Sequence, residues 1–120
     1  MMEKLSVDER GELLEPLFAN GWLLHDEKDA LIKNFEFKNF TDAFGWMIRV
    51  AIWAERRNHH PDWSNVYSRV QVTLVTHEVD CLSNLDLELA HEMDVIFEDI
   101  QLKRLPNWEP LEQCMCIAKL

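Results

Sequence analysis

No stretch of this sequence is apolar for long enough to cross a membrane. Its longest apolar runs, residues 46–48 and 50–54, fall far short of the ~20 residues that a spanning helix needs. The first residues also lack the charged-then-apolar pattern of an export signal. A cytoplasmic protein is therefore expected, with the nucleus as a second compartment and no membrane partner. Basic residues are scarce, 12 against 22 acidic ones, for a net charge of −10. The nearest basic cluster, Arg56-Arg57, is too short to hold a phosphate backbone against that charge, so direct nucleic-acid binding is disfavoured. Cys81, Cys114 and Cys116 are odd in number and spaced unlike a zinc ribbon or a CxxC redox pair. Free thiols in a reducing interior are the simplest reading. Internal repeats and low-complexity segments are absent as well.

What is present fits one compact domain: 120 residues, 48% of them apolar, are enough for a single hydrophobic core and too few for two. Ser6-Val7-Asp8-Glu9 has the form of a capping box, and Leu13, Leu14, Leu17 and Phe18 recur at helical spacing. The first helix should end near Ala19, before Asn20-Gly21, with a bend at Pro16. Residues 22–25 and 30–37 are short apolar runs around a polar turn, which predicts a hairpin. Thr41 is the expected N-cap of a longer helix over residues 41–58. Its stripe would be Phe44, Met47, Ile48, Ala51 and Ile52, widened by Trp46, Val50 and Trp53. A helix apolar over so much of its circumference should cover a sheet on one side and a second subunit on another.

Residues 66–77 read as strand, with an irregularity near Arg69-Val70, and His77 then falls opposite the apolar row Val70, Val72, Leu74. Ser83 and Asp86 form a second capping box before a final helix whose stripe is Leu85, Leu89, Met93, Ile96 and Ile100. The predicted order is α-β-β-α-β-β-α, an α+β domain over residues 1–100. Residues 101–120 carry no clear period and are set apart as a C-terminal extension of unknown role.

Three of the five histidines stand out: His59-His60, followed by Pro61, and His77. Glu55 continues the apolar row by one more step of four and is expected to point at His59, orienting it. Pro61 biases His60 out of the helical region, so the pair should sit where the chain leaves the helix. Imidazoles titrate near neutrality, and several beside a carboxylate suit proton transfer, metal binding or a pH switch. Helical metal pairs usually sit at i and i+4, and adjacent histidines compete for geometry, so acid–base chemistry without a metal ranks first. For His25 and His91 the expectation is a structural, hydrogen-bonded role. Trp63 is read as either a stacking surface for a flat heterocycle or core, and Tyr67 as core at a loop-to-strand junction. Asp86 is read as a helix cap.

The segments Glu55-Arg56-Arg57-Asn58-His59-His60-Pro61-Asp62-Trp63, Asn65-Val66-Tyr67 and Thr73-Leu74-Val75-Thr76-His77-Glu78, with Asp86 beyond, resemble pterin-4a-carbinolamine dehydratase. The resemblance extends through Ala43-Phe44-Gly45-Trp46-Met47 and Gly21-Trp22 and covers about residues 5 to 100. It implies a four-stranded antiparallel sheet with three helices on one face, assembled as a homodimer or homotetramer. It also implies loss of water from a 4a-hydroxytetrahydrobiopterin, giving the quinonoid dihydropterin for recycling, with pterin as substrate and no cofactor. By the same resemblance, His59, His60 and His77 are catalytic. Glu55, Asn58, Pro61, Trp63, Thr76, Glu78 and Asp86 bind or orient the substrate, Asn58 standing where relatives can carry an acidic residue. Some relatives act as coactivators of a homeodomain transcription factor, so such a partner, gripped through residues 41–58, is the alternative function.

Overall fold

The computed structural model describes residues 4–102. The tail from residue 103 on, with Cys114 and Cys116, lies outside the described residues. Helix α1 spans Val7–Ala19, strand β1 Leu23–Leu24, strand β2 Leu31–Glu36 and helix α2 Phe40–Arg57. Strands β3 (Asp62–Val66) and β4 (Arg69–Leu74) and helix α3 (Asn84–Leu102) follow. The four strands form one antiparallel sheet in the order β1-β2-β4-β3, with the three helices on one face.

Local chemistry explains the first elements. Ser6 Oγ accepts from the Glu9 N–H at 3.1 Å while Glu9 Oε1 accepts from the Ser6 N–H at 2.9 Å, so two of the orphan donors at the start of α1 are satisfied. The helix runs through Pro16 to Ala19. Gly21, at φ 99°, then turns the chain so that the Trp22 N–H reaches Leu17 O at 3.0 Å, a left-handed step that favours glycine. Leu14 and Leu17 are buried, whereas Leu13 and Phe18 of the same predicted stripe face outward.

In β2, Leu31 and Phe35 stand on the helix-facing side, in register with Leu74 and Val70 of β4. Lys33 shares that side. Its ammonium lies over Phe35, with Nζ 4.6 Å from the ring centroid, and meets Asp94 of α3 at 2.8 Å. That ion pair accommodates a lysine in a row otherwise filled by apolar side chains.

The predicted strand 66–77 holds the last residue of β3, a turn and β4. The chain reverses at Tyr67, whose φ is 54°, and Asn65 Nδ2 braces the reversal by donating to Tyr67 O at 3.1 Å and Arg69 O at 3.0 Å. No glycine marked this turn; a side-chain amide does the work. Tyr67 is consequently exposed rather than part of the core. Strand β4 ends at Leu74, so His77 lies not on a strand but in a turn closed by the Thr76 N–H on Cys81 O at 3.1 Å.

Helix α2 starts at Phe40, before the expected Thr41 cap, because Asn39 Oδ1 accepts the Asp42 N–H at 2.8 Å. Its buried row is Ala43, Trp46, Val50 and Ala54. Of the expected stripe, Met47 packs partly against the core while Phe44, Ile48 and Ile52 face outward, 46%, 50% and 53% exposed, and Phe40 extends the row at 47%. Both rows have helical spacing, and Trp46 decides between them. Its indole packs against Phe35 and donates to Met93 O at 3.1 Å inside the core. In α3, Leu89, Met93 and Ile96 are buried as their spacing predicts, while His91, expected to be buried and satisfied, is exposed.

One clasp ties α1 to the segment that carries His77. Arg10 makes two hydrogen bonds to Asp29, at 2.8 and 3.1 Å, and Asp29 Oδ2 accepts the Leu82 N–H at 3.0 Å. Hydrogen bonds from Arg10 hold the Asp29 carboxyl below its usual range; partial burial opposes this and the Leu82 N–H adds to it. Its folded pKa lies below the unfolded value of about 3.9, so the clasp is at full strength above that pH and weakens as pH falls through the folded value. Arg10, its own pKa raised, stays charged throughout. Urea midpoints of the wild type and Asp29→Asn should differ at neutral pH and converge in acid; a gap that is constant with pH would contradict this.

Candidate active site

The end of α2 sets the site. Asn58 takes the left-handed conformation, φ 53° and ψ 42°, and terminates the helix. The His59 N–H folds back onto Ala54 O at 3.1 Å, which tucks His59 under the helix end. His60, the next residue, faces solvent, and Pro61 leads the chain into β3. The two adjacent imidazoles therefore lie on different sides of the turn.

Each of the three histidines meets its own carboxylate through Nε2. His59 Nε2 lies 2.6 Å from Asp86 Oδ1, His60 Nε2 2.8 Å from Glu55 Oε1, and His77 Nε2 3.3 Å from Asp62 Oδ2. Burial separates them. Side-chain exposures are 9% and 0% for His59 and Asp86, against 57% and 79% for His60 and Glu55 and 66% and 56% for His77 and Asp62. Exposed pairs contribute roughly 0–1 kcal/mol and leave their rings free to move. The buried pair is fixed, because neither group can exchange its partner for water.

Two expectations are corrected by this arrangement. Glu55 reaches His60 and not His59, since the left-handed turn at Asn58 carries His59 away beneath the helix. Asp86 is more than a cap. Oδ2 does accept the Ser83 N–H at 3.0 Å, as a capping box requires, but Oδ1 holds His59, 27 residues away in sequence. Thr76 Oγ1 adds a third bond to Asp86, at 2.7 Å, and is itself 2.6 Å from Ser83 Oγ. Thr76, Ser83 and Asp86 are all fully buried.

A cleft of about 470 Å³ opens over this network, within the range of small-ligand sites. Of the expected residues, Asn58, His59, His60, Pro61, His77 and Glu78 line it. Thr76 and Asp86 stand behind His59 in the core and do not form its wall. Trp63 points to the helix side of the sheet, its ring 6.0 Å from that of Trp46, and is likewise not part of the lining. Asp62, which the sequence reading did not single out, does line the cleft and holds His77. A carboxylate directly after His-His-Pro was the available signal. His25 serves its local turn, its Nδ1 accepting the Glu27 N–H at 3.0 Å. Among the described residues, no three of His, Cys, Asp or Glu are grouped as a metal-ligand set.

Three imidazoles around one cleft, two of them exposed and one backed by a buried carboxylate, can bind a small polar molecule and move protons at more than one of its atoms. Comparison with known proteins points the same way. Residues 3–96 match the family model described as Pterin 4 alpha carbinolamine dehydratase. A Ruegeria pomeroyi protein named "Putative pterin-4-alpha-carbinolamine dehydratase" is 62% identical over 94 residues, 78% of this chain and 97% of the relative. A Roseobacter denitrificans protein of the same name is also 62% identical, over 78% of this chain and 96% of its own. The crystal structure of a transcriptional coactivator/pterin dehydratase from Brucella melitensis superposes with a TM-score of 0.73 at 40% identity, covering 78% of this chain and 98% of that one. With a family model spanning most of the chain and relatives this similar over nearly their whole length, the chain belongs to the pterin-4-alpha-carbinolamine dehydratase family.

Proposed function

We propose that the protein dehydrates 4a-hydroxytetrahydrobiopterin to the quinonoid dihydropterin, without a cofactor, as a step in tetrahydrobiopterin recycling. The observation that carries this reading is the meeting of His59, His60 and His77 at one cleft in a chain of this family. In the reaction the bond from C4a to the hydroxyl oxygen breaks as that oxygen takes a proton. The neighbouring ring nitrogen loses its own proton, and its electron pair closes the new C=N bond. One group must therefore give a proton and another take one, and imidazoles near neutrality do both.

In this reading His59 and His77 handle the two protons, and His60, held by Glu55, positions or polarises the substrate. Glu78 and Asn58 offer an acceptor and an amide to the N–H-rich edge of the pterin, with Pro61 keeping the turn rigid. Thr76 and Asp86 orient His59 from behind, and Trp63 supports the wall from the core side. The test is an absorbance assay of a synthetic 4a-carbinolamine with the purified protein. Decay faster than the buffer rate and saturating in substrate supports the reading; decay at the buffer rate defeats it.

The outward row Phe40, Phe44, Ile48 and Ile52 favours self-association, as homodimer or homotetramer, because a contiguous apolar face of this kind gains from being covered. Ile48→Asp is expected to shift the assembly toward monomer in sedimentation velocity at micromolar concentration. A wild type that is monomeric under those conditions would remove this proposal. The Brucella melitensis protein is named a coactivator as well as a dehydratase. The second reading carries that name over: the same row would grip the dimerisation helices of a transcription factor, in competition with self-association and in the nucleus rather than the cytoplasm.

A further inference from the structure

The hydrogen bonds behind His59 can run in only one direction. Asp86, as a carboxylate, only accepts. Thr76 Oγ1, 2.7 Å from Asp86 Oδ2, must therefore donate its single proton there. Its contact with Ser83 Oγ at 2.6 Å is then one in which Thr76 accepts and Ser83 donates. Ser83 Oγ is free to donate, since its other partner is a donor, the Leu85 N–H at 3.2 Å. The Ser83 N–H reaches Asp86 Oδ2 as well, at 3.0 Å. Every proton in the chain points at Asp86, and Oδ1 is left for His59 Nε2, which must donate across 2.6 Å.

Burial makes the order rigid. Thr76, Ser83 and Asp86 have no exposed surface, so water cannot replace a missing donor or offer an alternative. His59 is 8% exposed and lines the cleft, and among the described residues its Nδ1 has no hydrogen-bond partner. We infer that Thr76 and Ser83 are positioning residues that act through Asp86: their hydroxyl chain, bonded to Oδ2, fixes Oδ1 toward His59, so that the carboxylate holds the ring in the Nε2–H form and presents Nδ1 to the substrate.

Thr76 and Ser83 touch neither the cleft nor, in this inference, the substrate. Their role deepens the dehydratase reading and rests on it for the kinetic readout only. The decisive measurement needs no substrate. In nitrogen-15 NMR of the full-length protein, neutral His59 should carry its proton on Nε2, shifted strongly downfield and slow to exchange with water. In Thr76→Val, which keeps the shape and deletes the hydroxyl, that proton should move upfield and exchange faster. Thr76→Ser should restore it. Ser83→Ala, which keeps the backbone donor, should shift it in the same direction by less and serves where Thr76→Val does not fold.

In the carbinolamine assay, Thr76→Val should lower kcat on the order of tenfold to a hundredfold, as small misplacements of a reacting group do. KM should stay within about twofold, because the group lost does not contact substrate. Thr76→Ser should recover most of the rate. Wild-type His59 protonated on Nδ1 instead, or folded Thr76→Val and Ser83→Ala variants with an unchanged Nε2–H signal, would overturn the inference. A wild type with the locked Nε2–H signal and no dehydration would uphold the chain and defeat the dehydratase reading.

Discussion

Asp86→Ala is expected to destabilise the fold by several kcal/mol, since each buried donor left without its acceptor typically costs about 1–3 kcal/mol. The physical reason is the number of donors it strands. His59 Nε2, Thr76 Oγ1 and the Ser83 N–H all point at this carboxylate, and Thr76 and Ser83 have no exposed surface on which water could replace it. The same change removes the acidic half of the capping box at the start of α3. In urea, the unfolding midpoint should fall with the slope unchanged. Glu55→Ala provides the contrast. Its pair with His60 is exposed on both sides, so its loss should cost only about 0–1 kcal/mol. If Asp86→Ala unfolded as late as Glu55→Ala, the buried network would not have the role given to it.

His59→Ala should lower dehydration by about 10²–10⁴-fold, the range for removing a group that transfers a proton in the transition state. The fold should survive, because Asp86 keeps two donors, Thr76 Oγ1 and the Ser83 N–H, after the imidazole is gone. His60→Ala should lose less. Its ring is more than half exposed and held only by an exposed carboxylate, so it is less well placed in advance for chemistry. The comparison is made in the carbinolamine assay, with circular dichroism to check folding. A folded His59→Ala protein that dehydrates at the wild-type rate would remove His59 from the reaction.

Much of the site was visible along the chain. His59, His60, Pro61 and His77 stood out by residue type and spacing, and Asn58, Pro61 and Glu78 do line the cleft with them. The partners of the histidines were harder to read. A step of four residues from Glu55 leads to His59 only if the helix continues, and the left-handed Asn58 stops it one residue short. Asp86 presented a complete local explanation as a cap, which concealed its bond to His59. Asp62 was passed over because its partner His77 approaches from another turn of the chain.

The sequence by itself determined the interactions that close within a few residues: the Ser6–Glu9 box, the bond from the Ser83 N–H to Asp86, the Gly21 turn, and the order of helices and strands. Tertiary structure decided what depends on packing and register. It buried Trp46 and left Ile48 outward, although both rows of α2 have helical spacing. It also gave each histidine its carboxylate, across 27 residues for His59 and 15 for His77. A one-dimensional pattern records periodicity and local geometry. Which of two equivalent faces is covered, and which distant acid meets which base, follows only from the way α2, α3 and the sheet close on one core.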